Sequence, residues 1–179
     1  MKPIVEMTQS ELGAFVQTQL RKRGIELVLS GGAVVSIYSK NRYVSKDLDF
    51  VNIYAARRNS IQAAMEELVF HEEGRYFIHS DTQFFIEFPP GPLTIGDEPV
   101  KQIDELEFPT GTLKIISPTD CVKDRLAAYY HWGDQQCLVQ ATLVAQLQHI
   151  DFKEVERWSK LEGKLDDFEK ISSRLRGGL

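Results

Sequence analysis

Asp47 and Asp49 flank Leu48 in "SKDLDFVNI", a run that otherwise has the apolar content of a buried strand. Side chains two residues apart on a strand share a side. The two carboxylates therefore project together, while Leu48 and Phe50 face the other way, toward a core. Carboxylates this close repel unless a cation stands between them, and hard cations such as Mg²⁺ or Mn²⁺ take oxygen ligands of this kind. A solvated strand edge with two surface acids would give the same pattern. A third acid, Glu87, interrupts the apolar run "TQFFIEFPP", with Ile86 and Phe88 on the opposite face. A carboxylate in such a strand is costly unless it is paired, exposed or metal-bound. If the two strands are neighbours, Asp47, Asp49 and Glu87 form a three-carboxylate cluster. Such a cluster can hold two divalent cations about 3.5–4 Å apart and clamp an in-line phosphoryl displacement.

A second feature precedes the aspartates. In "LVLSGGAVVSIYSK" an apolar strand ends in Ser30-Gly31-Gly32 and a helix opens. Backbone N–H groups at a helix N-terminus attract anions, and glycine lets a phosphate approach the backbone closely. A tight strand-to-helix turn explains two glycines equally well. Neither GxxxxGK[ST] nor GxGxxG is present, which excludes two other phosphate loops.

The elements that must position these residues are legible from periodicity. "TQSELGAFVQTQLRKRG" is predicted to be a helix: Thr8 and Glu11 have capping-box spacing, Leu12, Phe15, Val16 and Leu20 form one stripe, and Gly24 stops it. "IELVLS" and "SKDLDFVNIYA" are predicted strands. "RRNSIQAAMEELVFHEEG" is predicted to be a helix running to Gly74, with Ile61, Met65, Leu68 and Val69 inward. "RYFIHS" and "TQFFIEF" are predicted to pair as an antiparallel hairpin, "PPGPLTIGDEP" reads as loop, and "ELEFPTGTLKII" as two short strands. After Pro118 three helical segments follow. The expected fold is α/β (α+β): a mixed-sheet domain over 1–116, then a helical segment over 117–179 packed on it.

Composition adds bounds. A chain of 179 residues, 42% hydrophobic and 26% charged, can bury a core as one domain with a small appendage. A net charge of −5 gives no global field for nucleic acid, although Lys40, Arg42 and Lys46 cluster between the glycines and the aspartates, and Arg21–Arg23 form another basic run. Cys121 and Cys137 have no metal spacing and are expected to be reduced thiols. His71, His79, His131 and His149 show no ligand spacing, and GxSxG is absent. "MKPIVEMTQSEL" lacks an apolar signal core and no run is long enough to span a bilayer, so a cytoplasmic protein is expected.

Taken together, "LSGG", fourteen intervening residues, "DLDF" and the later "IEF" resemble the nucleotidyltransferase superfamily. The match is closest to small prokaryotic stand-alone members related to abortive-infection type IV toxins. The resemblance implies a polymerase-beta-like core, an NTP substrate, Mg²⁺ or Mn²⁺ as cofactor, and transfer of an NMP to a hydroxyl with release of pyrophosphate. The acceptor could be a protein, a tRNA end or a small molecule. It implies that Asp47, Asp49 and Glu87 bind metal and act in catalysis, and that Ser30, Gly31 and Gly32 cradle phosphates. It also implies nucleotide contacts from Lys123 and Asp134 in "VKDRLAAYYHWGDQQCLVQA", and an antitoxin partner if the toxin relation holds. Gly32 departs from the pattern, where many active members carry Ser, and that removes a hydroxyl. A fold retained without turnover, in a regulatory role, and the toxin-like half of a toxin–antitoxin pair are the alternative expectations.

Overall fold

The computed structural model describes residues 2–54 and 56–177. Met1, Gly178 and Leu179, and Ala55 at the end of the predicted second strand, lie outside the described residues. After a 3-10 turn at Ile4–Glu6, α1 spans Gln9–Arg21. Its capping box is formed: Glu11 N donates to Thr8 Oγ1 at 3.3 Å and Thr8 N donates to Glu11 Oε2 at 2.8 Å. There follow β1 (Leu27–Ser30), α2 (Gly31–Tyr38), β2 (Asp47–Asn52) and α3 (Arg58–Glu67). Next come β3 (His71–Glu73), β4 (Tyr76–Ile78), β5 (Phe85–Glu87), β6 (Thr94–Ile95) and β7 (Glu98–Pro99). The chain continues through β8 (Ile103–Phe108), β9 (Gly111–Ile116), α4 (Pro118–Trp132), α5 (Gln135–Leu147), α6 (Phe152–Leu161) and α7 (Leu165–Leu175).

Seven strands form one mixed sheet in the order β3-β4-β5-β2-β1-β9-β8. β2 runs antiparallel to β1 and parallel to β5, and β9 runs parallel to β1. The predicted mixed α/β architecture is therefore the one observed. One face of the central strands is the core: Leu48, Phe50 and Ile86 are fully buried. α1 lies across this face, and Gly13 allows the close approach, because a Cβ there would meet Leu113 and Leu48 at 3.2 Å. The alternation then forces Asp47, Asp49 and Glu87 onto the other face. α2 packs on α4 and α5, and α4 also reaches β6. Among the described residues no helix is long and apolar enough to cross a membrane. Both cysteines are free and buried.

Three expectations are corrected. The predicted helix to Gly74 ends at Glu67. Val69 takes φ 65, its N–H bonds Glu66 O, and Phe70 N–H reaches back to Met65 O. This is a Schellman closure built without glycine, and it turns Val69 outward, 72% exposed, rather than into the core. The freed residues 71–73 then pair antiparallel with β4. The segment read as loop contains the β6–β7 hairpin, which is anchored where Trp158 Nε1 donates to Ile95 O at 3.2 Å. Beyond the three expected C-terminal helices lies a fourth, α7, which buries Phe168, Ile171 and Leu175 at helical spacing.

Candidate active site on one face of the sheet

The register brings the acids together. Asp49 lies directly opposite Glu87 across the parallel β2–β5 pair, and Asp47 opposite Phe85, two residues earlier on the same face. On the other side of β2, Asp49 pairs with Ser30, whose hydroxyl donates to the Asp49 carbonyl at 3.4 Å. Ser30 is the N-cap of α2 and makes no side-chain cap there, so the first amides of that helix are left without a side-chain acceptor. The two glycines and the carboxylates thus meet at one point, the end of β1 beside the middle of β2.

The Asp49 carboxyl is pushed up to about 6, first by burial, then by the negative charges of Glu87 and Asp47. A carboxyl perturbed by desolvation and by two acids at a strand-to-helix junction has the signature of a functional group. Its donor set is oxygen only, and the repulsion is of the kind a hard cation relieves. Among the described residues, however, no three acids, histidines or cysteines already stand as a ready metal-ligand group. Glu87 Oε2 lies 3.4 Å from Arg75 Nε.

Gly31 is required twice. Its φ is +70, and a Cβ there would fall on the Asp49 carboxylate. Gly31→Ala is expected to lower stability by about 1–2 kcal/mol and, by displacing Asp49, to weaken any transfer activity about 100-fold. Denaturant unfolding beside activity measurement separates the two effects. Gly32 has ordinary backbone, but a Cβ would approach Ser45 Oγ at 3.0 Å and Ser45 Cβ at 3.1 Å. A side chain at this position would therefore crowd Ser45, whose side chain would have to give by a few tenths of an ångström. Ser45 Oγ accepts from Asp47 N at 3.2 Å, tying that hydroxyl to the aspartate pair. Lys40, Arg42 and Lys46 are exposed on the loop that carries Ser45.

The two α4–α5 residues suggested by the family resemblance are engaged elsewhere. Lys123 is 1% exposed, its Nζ 2.9 Å from Asp120 Oδ1 and 3.3 Å from Glu154 Oε1, and it lies over Trp158. Asp134 is the N-cap of α5; hydrogen bonds from the Cys137 backbone, then the Cys137 thiol, then the Gln136 backbone hold its carboxyl below the usual range. The α4 groups whose charges reach Asp49 are instead Arg125 and Asp124. Arg125 donates to Asp124 Oδ2 through Nε at 3.0 Å and to Gln140 Oε1 at 3.3 Å. Asp124 also borders a cavity of about 170 Å³ with Ser30, Val51, Leu93 and Ile116. A larger cavity, about 630 Å³, lies by Asn52, Arg58, Phe88 and Pro89, beyond the end of β2. The signal for Arg125 was present in the sequence as three successive charges, Lys123-Asp124-Arg125, on an apolar helix.

Compared by sequence, the chain matches no protein-family model and no curated protein. Compared by structure, it is similar to an antigenic nucleotidyltransferase-like protein from Paracoccidioides brasiliensis. The TM-score is 0.61 at 13% identity, over 95% of this chain and 93% of that one. It is also similar to the antibiotic-resistance factor ANT(2'')-Ia in solution, with a TM-score of 0.51 at 14% identity, over 90% of this chain and 91% of that one. Likeness at these identities is likeness of fold, and function must come from the site.

Proposed function

We propose that the protein is a nucleotidyltransferase that moves an NMP from an NTP to a hydroxyl and releases pyrophosphate. The observation that carries this reading is the Asp49–Glu87 register beside the uncapped start of α2. The fold shared with a nucleotidyltransferase-like protein supports it. Asp47, Asp49 and Glu87 would hold Mg²⁺ or Mn²⁺, with Glu87 turned from Arg75. A cation bound there supplies neutralisation of the triphosphate and of the charge that develops on the leaving oxygen.

The remaining work belongs to the chain. The Gly31 and Gly32 amides and the Ser30 hydroxyl donate to phosphate oxygens at the positive end of α2. Ser45 holds Asp47 N, and with it the start of β2, in place. Glu87, on the same face as Asp47 and Asp49, would accept the proton of the attacking hydroxyl. Arg125, fixed by Asp124 and Gln140, offsets negative charge behind Asp49. The cavity between Ser30 and Asp124 gives room for part of a nucleoside or acceptor. Lys40, Arg42 and Lys46 present positive charge to a polyanionic ligand or to a tRNA acceptor.

The Arg75–Glu87 ion pair favours a second reading, a nucleotidyltransferase fold kept without turnover, in which the arginine stands permanently where a cation would. If the relation to abortive-infection toxins holds, a small antitoxin would be a partner of the active form. One experiment separates turnover from its absence. The protein is incubated with Mg²⁺, each α-labelled NTP and protein, tRNA or small hydroxyl acceptors, and pyrophosphate and labelled product are followed. Labelled product that disappears in Asp47→Asn supports transfer. NTP binding without product for any acceptor class supports the retained-fold reading.

A further inference from the structure

Arg75 stands at the turn between β3 and β4, next to Tyr76, which pairs with Glu87 across β4 and β5. Its side chain is 67% exposed, yet it is not directed at solvent alone. Nη2 donates to the Tyr76 hydroxyl at 2.6 Å, the guanidinium lies 4.8 Å from the centre of the Tyr76 ring, and Nε stands 3.4 Å from Glu87 Oε2. Asp47 also lies close enough to act on its charge. One exposed cation is therefore held over a face that carries three carboxylates. The tyrosine steadies it, and the contact to Glu87 is loose.

We infer that Arg75 is a placeholder cation, occupying Glu87 in the metal-free protein and competing with the divalent ion for that carboxylate. The inference rests on the proposed metal-dependent function and goes beyond it by naming the group that must move. Glu87 would have to give a divalent ion the oxygen that Arg75 now faces, and the guanidinium would then be repelled by the ion's charge. Held away from Glu87, the guanidinium would keep its tyrosine support, and its charge would be free to meet the phosphates of an arriving nucleotide. Metal alone thus has to displace an arginine, whereas metal arriving with a triphosphate offers that arginine a new partner. This couples metal loading to nucleotide loading.

The test is Mn²⁺ binding without nucleotide, read by the loss of the free-ion EPR signal, for wild type, Arg75→Gln and Arg75→Lys. Arg75 is at an exposed turn, so the variants are expected to melt with wild type. The expected result is about three- to tenfold tighter Mn²⁺ binding by Arg75→Gln, the scale of removing a part-exposed ion pair and a nearby like charge, with Arg75→Lys close to wild type. Equal or weaker Mn²⁺ binding by Arg75→Gln overturns the placeholder while leaving the metal site standing. No Mn²⁺ binding by any of the three overturns the placeholder and the proposed function together.

Discussion

Asp49→Asn is expected to lose about 1,000-fold or more of nucleotidyl transfer while making the metal-free protein more stable at pH 7. The two effects have one cause. Burial, Glu87 and Asp47 raise the Asp49 carboxyl from its ordinary 3.8 to about 6. The folded chain therefore holds this proton more tightly than the unfolded chain does. Stability from this group is full below about pH 4 and is lost as pH rises through about 6, leaving a deficit of about 1–3 kcal/mol at pH 7. Asparagine carries no charge to bury. In EDTA, Asp49→Asn should unfold at higher denaturant than wild type at pH 7, and the gap should narrow as pH falls to 5. A variant less stable than wild type at pH 7 would show that Asp49 serves the fold rather than the site.

Lys123→Met is expected to cost about 3–5 kcal/mol, the scale of breaking a buried ion pair from one side. In a chain of this length that is a fall in melting temperature on the order of 10 °C. The variant leaves Asp120, itself buried, with its Ser117–α4 capping geometry but without its cation. Glu154 keeps Arg157, the largest of the influences that hold its carboxyl far below the usual range, together with Lys101. The loss therefore concentrates on Asp120. This network links α4 to α6 and, through the Arg157–Glu98 pair, to β7. If Lys123 instead held triphosphate, Lys123→Met would melt near wild type and lose NTP affinity, so melting and nucleotide titration together decide between the roles.

Much of this site is legible in the chain, and the limits are physical. Alternation in "DLDF" and "FIEF" places Leu48, Phe50 and Ile86 inward and the three acids outward, because a strand has only two faces. The capping box at Thr8 and Glu11 is local chemistry and reads directly. The pairing of Asp49 with Glu87 is not local: it depends on β5 settling parallel to β2, which no residue near either acid specifies. Lys123, Asp124 and Arg125 step around α4 by about 100° each. Which of them meets the sheet and which meets α6 is set by where α6 packs, so the lysine suggested by the family pattern lies in the core, and the charge of the arginine two residues on is the one that acts on Asp49. Val69 breaks its helix in a conformation β-branched residues seldom take, and only the return of Phe70 to the core explains why it is held there.

The proposed role of Asp47, Asp49 and Glu87 is to hold a divalent cation that brings an NTP to the start of α2. It is tested most directly by calorimetric titration of each NTP into the protein with Mg²⁺ and again in EDTA, for wild type and for the double variant Asp47→Ala, Asp49→Ala. Wild type with Mg²⁺ is expected to bind at least one NTP at millimolar affinity or tighter, and to lose that binding both in EDTA and in the double variant. Binding that persists without metal, or no binding of any NTP with it, would show that these carboxylates do not form a metal-dependent NTP site.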